Sequence, residues 1–213
     1  MKSCGRWIGF VLLATLSLPA QQPPAGAPKQ SPAAPPDVGQ IISGVYHNPF
    51  FGFSYRLPYG WVDRTEDMRQ EASDSSKAIL LLSIFERPPE ATGTTVNSAV
   101  VIAAESASSY PELKNAAQYF GPLSELTKEK GLSAVNEPYE FPVDGKPIVR
   151  RDFMKQMGSV SMHQGTLALL QSGYVLSFTF IGGSDDEVTS LLEGLKFNYA
   201  SKSKKNPAPS SGR

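Results

Sequence analysis

The chain has one cysteine, Cys4, and two histidines, His47 and His163, in 213 residues. A lone cysteine excludes an internal disulfide framework. Two histidines are too few for most histidine-built sites, and no spacing of N, O or S ligands suggests a metal centre. There is no Gly-x-Ser-x-Gly elbow, no phosphate-binding Walker loop and no Gly-x-Gly-x-x-Gly fingerprint. No apolar run approaches the roughly 20 residues that a spanning helix requires. Nor is there a concentrated basic face. Between residues 40 and 199 thirteen Lys/Arg stand against nineteen Asp/Glu, a net of −6, which argues against nucleic acid as the main partner. No catalytic, cofactor-binding or metal-ligating residue is assigned, no cofactor is expected, and the chain is read as not an enzyme.

What is present begins with an export signature. Lys2 and Arg6 precede the apolar stretch from Trp7 to Leu18, and Leu18-Pro19-Ala20 ends on a small residue. Residues 1–20 are therefore expected to be a signal peptide, carrying Cys4 away on cleavage and leaving no spanning segment. Residues 21–39 hold six prolines and no aromatic. They read as a disordered, semi-extended tether. Residues 200–213 form a Ser/Lys/Pro tail, expected to be disordered and basic. The protein is expected to be periplasmic or secreted.

Residues 40–199 carry the folding signals. In the stretch 46–61, Phe53, Tyr55 and Leu57 alternate with Ser54 and Arg56, the period of a half-buried strand. Asn48-Pro49 ahead and Pro58-Tyr59-Gly60 behind supply turns, and Tyr59 and Trp61 are expected in the core rather than on an exposed ridge. Residues 78–85 are apolar on both faces, as in an inner strand. Ser98–Glu105 is a further strand. A short helix is expected around Glu66–Ala72. Ser109 is expected to cap a helix through Tyr119, with Gly121-Pro122 breaking it and a second piece running from Leu123 to Lys130.

Three β segments follow: Ala134–Phe141, Ile148–Gln156 after the hairpin signal Val143-Asp144-Gly145-Lys146, and Val160–Leu170. Ser172-Gly173 then turns the chain into Tyr174–Ile181. Ser184-Asp185-Asp186-Glu187 reads as a capping box rather than a cation cluster. It opens a helix with Val188, Leu191, Leu192 and Leu195 on one face, with Phe197 and Tyr199 docked beside it. Arg150 and Arg151 should face opposite sides of a strand and pair with acids. The fold class is α+β, a mostly antiparallel sheet with helices on both faces.

Tyr46, Asn48, Phe51-Gly52-Phe53-Ser54, Leu57-Pro58 and Gly60-Trp61 together resemble the opening motif of PsbP-like domains. These share a fold with Ran-binding Mog proteins and the bacterial envelope protein DcrB. Gly173-Tyr174-Val175-Leu176-Ser177-Phe178 and the helix ending Leu195-Lys196-Phe197 extend the resemblance to the far end of the domain. The resemblance implies an α/β/α sandwich, typically without catalysis. It leads to an exported accessory module that acts through an unknown envelope protein. The alternative is a small-molecule or lipid carrier. A hydrolase built from scattered residues ranks last.

Overall fold

The structure is a computed structural model that describes residues 36–71, 78–88, 90–91 and 93–197. The expected signal, Cys4, most of the tether, Tyr199 and the tail lie outside the described residues. The described residues begin with two hairpins. Strand β1 (Gln40–Ile42) turns through Ser43 and Gly44, both at positive φ, into β2 (Val45–Asn48). Strand β2 turns into β3 (Phe53–Arg56), whose alternation is as the sequence predicts. Phe53 and Tyr55 are buried, Ser54 is half-buried and Arg56 is exposed. Asn48 organises the second turn. Its Oδ1 accepts from the Phe51 amide at 2.9 Å, and its Nδ2 donates to Asp37 O and Tyr46 OH, both at 3.1 Å. A buried amide with these partners leaves little desolvation uncompensated.

Strand β12 (Leu195–Phe197) pairs with β3, so the first and last described strands share one sheet of order β1-β2-β3-β12. A larger sheet comprises β4 (Val62–Asp63), β5 (Ala78–Phe85), β6 (Ala99–Ser106), β7 (Ser133–Ala134), β8 (Tyr139–Val143), β9 (Lys146–Met157), β10 (Val160–Gln171) and β11 (Tyr174–Gly182). Its order is β4-β5-β6-β11-β10-β9-β7, with β8 also on β9, and every pair is antiparallel. The expected turns at Asp144-Gly145 and Ser172-Gly173 both have positive φ at their two central residues. That twist matches the flanking strands, which is why such sequences make tight hairpins.

The helices are α1 (Thr65–Glu71), α2 (Ala116–Glu129) and α3 (Asp185–Leu192). Alternate residues along the long strands feed two separate cores. Leu167, Leu169, Leu176, Phe178 and Phe180 join Phe53 and Tyr55 of the small sheet and Val188, Leu191 and Leu192 of α3. Ala168 and Val175, one residue out of step, join Tyr119 and Phe120 of α2 with Phe153. The fold is α+β and mostly antiparallel, as expected. It has two sheets rather than one, because β1–β3 and β12 pair with one another instead of extending the larger sheet.

Several local expectations are corrected. Ser109 caps no α-helix; Ala107–Ser109 form a single 3₁₀ turn. Pro111 disfavours helical backbone at the residue before it, and Tyr110 sits at φ −131°. The cap is Asn115, in a reciprocal capping box with Gln118. Helix α2 runs unbroken through Pro122, because Tyr119 and Phe120 anchor it in the second core. The segment 134–141 is split into β7 and β8 by Pro138, which has no N–H to pair. Leu195 lies in β12, beyond the end of α3, though it is buried all the same. Tyr59 is fully exposed at 104% and Trp61 only partly buried against the main core. The cause is Gly60 (φ +81°), which turns the chain between them.

Candidate functional site

A concavity lies where the opening stretch meets the closing helix. Leu191, near the end of α3, offers its carbonyl to the Tyr55 hydroxyl at 3.0 Å, satisfying one of the acceptors that a helix end exposes. Burial holds that phenol well above the usual tyrosine range. The chain then turns at Gly194, whose carbonyl accepts from the Arg56 amide at 2.9 Å. A Cβ at Gly194 would lie 2.9 Å from the Tyr55 ring and 3.0 Å from Arg56 O, so only glycine permits this approach. The result is a groove of about 510 Å³ bounded by β3, β12 and the end of α3. Val45, Leu57, Pro58 and Leu191 give it apolar surface; Ser54, Arg56, Ser190, Glu193 and Lys196 give it polar surface.

A second concavity of about 350 Å³ lies beside α2, lined by Tyr110, Pro111, Leu113, Gln118 and Pro122. Its wall is held by Glu105 on β6, which accepts from the hydroxyls of both Tyr110 and Tyr119, the latter at 2.6 Å. The two rings meet edge to face at 5.7 Å. Burial first, and the Glu105 carboxylate second, push both phenols well above their usual range. This cluster staples the segment 107–113 to the sheet.

The residues singled out from sequence are dispersed. His47 lies in β2, opposite Ser54. His163, on β10, places Nδ1 2.8 Å from Asp185 Oδ1, and among the described residues no serine hydroxyl bonds to it. Asp185, Asp186 and Glu187 form the first turn of α3, where acids complement the helix dipole. The capping box is half formed. Ser184 accepts from the Glu187 amide, but the Glu187 carboxylate takes the Gly183 N–H at 2.8 Å and the Ser98 hydroxyl. Arg150 pairs with Asp152 at 2.7 Å and Arg151 with Glu137 at 3.7 Å, as expected of opposite faces.

Around Asp152 the structure assembles a polar network that sequence reading did not find. Asn136 Nδ2 donates to it at 2.7 Å and Tyr139 OH at 3.2 Å, while Arg150 lies 5.0 Å over the Phe141 ring. The pairing of β8 with β9 and the link from β7 to β8, which lies against β9, bring these together. Among the described residues no group of three or more His, Cys, Asp or Glu is placed to hold a metal. Among them, too, no helix is long and apolar enough to cross a membrane.

No protein-family model matches the chain, and no curated protein does. Solved structures do resemble it. Cyanobacterial PsbP (CyanoP) from Synechocystis sp. PCC 6803 is 12% identical, with a TM-score of 0.49, over 81% of this chain and 100% of that one. LpqN, described as involved in cell envelope biogenesis of Mycobacterium tuberculosis, is 11% identical at a TM-score of 0.36, over 69% and 83%. PA94 of Pseudomonas aeruginosa, a protein of unknown function, is 13% identical at 0.34, over 64% and 81%.

Proposed function

We propose that the chain is an exported, non-enzymatic binding or accessory module that engages a protein partner in the cell envelope through the groove between β3, β12 and α3. On this reading residues 1–20 direct export, 21–39 are a tether, and 40–199 form the binding domain with a PsbP-like layered arrangement. The observation that carries it is the groove itself. Its apolar floor and charged rim are the composition of a recognition surface, and the residues that build it are those of the two stretches that define the domain.

Ser190 is exposed on α3 and lines the groove. Ser190→Trp should therefore fill the groove without disturbing a core. The full chain, tagged after residue 213, is used to capture envelope proteins from its native host. The expected result is a partner retained by the native chain and lost by Ser190→Trp. A partner held equally by both would place the interface elsewhere. Mass spectrometry of the native protein should find an N-terminus after Ala20, and an intact Met1 would count against export by cleavage.

The pocket beside α2, part apolar (Tyr110, Pro111, Leu113, Pro122) and part polar (Ser109, Glu112, Gln118), supports a second reading, a small-molecule carrier. Native mass spectrometry distinguishes it, because a carrier leaves the cell with added ligand mass.

A further inference from the structure

We infer that the groove between β3, β12 and α3 recognises an extended, acidic segment, with Arg56 and Lys196 receiving carboxylates from alternate positions of the bound chain. This rests on the binding-module reading and names the chemistry of the partner.

Three observations carry it. First, charge is segregated. Strands β1, β2, β3 and β12 contain no Asp or Glu; their charged or titratable polar side chains besides buried Tyr46 and Tyr55 are His47, Arg56 and Lys196. Glu193, at the end of α3, is the one acid lining the groove, so its charged residues Arg56, Lys196 and Glu193 sum to +1, where residues 40–199 as a whole sum to −6. Register places Gln40, His47, Ser54 and Lys196 in one cross-strand row, with Arg56 two residues from Ser54 on the same face.

Second, Arg56 is exceptional among the six described arginines. Arg64, Arg69, Arg87, Arg150 and Arg151 each form an ion pair, whereas Arg56 has no side-chain hydrogen bond or ion pair among the described residues and is exposed. Lys196 has one loose partner, Asp144 at 3.8 Å. Two neighbouring cations, one without an internal carboxylate and one with only a loose one, can take carboxylates from outside.

Third, the spacing suits a strand. Diagonal neighbours on one sheet face lie roughly 7 Å apart, and alternate side chains of an extended peptide repeat at about the same interval. Carboxylates at every second residue therefore meet Lys196 and Arg56 in turn, and the apolar surface of Val45, Leu57, Pro58 and Leu191 takes the aliphatic stems.

The test is a titration of the isotopically labelled full chain, followed by NMR, with the peptide acetyl-Glu-Leu-Glu-Leu-Glu-amide and its all-Gln counterpart. Vesicles of phosphatidylglycerol and inorganic phosphate are run alongside. Saturable shifts confined to Ser54, Arg56, Gly194 and Lys196, weakened by added salt and absent with the Gln peptide, are expected. Arg56→Gln, an exposed site, should weaken binding roughly fivefold, the scale of one exposed charge pair. Equal binding of the Gln peptide, shifts elsewhere, or binding to vesicles or phosphate without the peptide would overturn the proposal. If the peptide fails while Ser190→Trp still abolishes partner capture, the acidic specificity is wrong and the groove stands. If Ser190→Trp captures normally, the groove itself is wrong.

Discussion

Tyr55 does three things at once. Its ring fills the main core beside Phe180 at 6.0 Å, its hydroxyl closes the end of α3, and its edge leaves room only for glycine at position 194. Tyr55→Phe keeps the packing and removes the bond to Leu191 O, at a cost of about 1 kcal/mol, readable as a lower urea midpoint at pH 7. The pH dependence has a definite sign. A folded-state pKa raised by burial means stability is fully present below the free phenol value of 10.0 and is lost as pH climbs toward the folded value. Tyr46, Tyr110, Tyr119 and Tyr139 are raised likewise. Lys146 is lowered by burial and works in the opposite direction up to 10.5. Urea unfolding repeated from pH 8 to 11 should therefore show stability falling above pH 10, with a shallower fall in Tyr55→Phe. An identical slope would mean that Tyr55 ionises as freely in the fold as out of it.

Helix α2 shows local preference being overruled. Pro122 lies inside it, with no N–H for the Gln118 carbonyl, a defect of about 3 kcal/mol in a helix interior. The reciprocal cap at Asn115 and the burial of Tyr119 and Phe120 offset it. Because Pro122 itself is exposed, Pro122→Ala should relieve the defect and raise the urea midpoint, by about 1–3 kcal/mol in stability. A lower midpoint would show that Pro122 packs where the structure leaves it in solvent. The same contest explains which elements were legible from sequence. The hairpins at Asp144-Gly145 and Ser172-Gly173 and the alternation of Phe53 and Tyr55 are local, so the chain announces them. The unbroken course of α2 depends on partners in β9–β11, about 30 to 55 residues away in sequence, so it does not.

At the scale of the whole fold, the decisive contact is between the first and last described strands of the sequence, β1–β3 and β12. Strand β12 completes the sheet begun by β1–β3, and Phe197 meets Phe53 at 6.1 Å and Phe178 at 5.9 Å. The closing strand is thus part of the core, with Phe197 buried in it. A chain trimmed to residues 36–197 should unfold in one cooperative urea transition with the midpoint of the full-length protein. Trimming further to residue 192, which removes β12, should abolish that transition. A cooperative transition without β12 would mean that β12 is dispensable to the core. Patterns of two and of three-to-four residues and turn dipeptides are properties of neighbours along the chain. They were enough to establish an α+β class, most strands, the caps at Ser184 and the pairing of Arg150 and Arg151. Which strands share a sheet, why Asp152 gathers Asn136, Tyr139 and Arg150, and how Arg56 and Lys196 come to flank one groove are matters of contact between distant residues. Those were decided only by tertiary packing, because burial of apolar area and long-range hydrogen bonding have no period that a sequence can display.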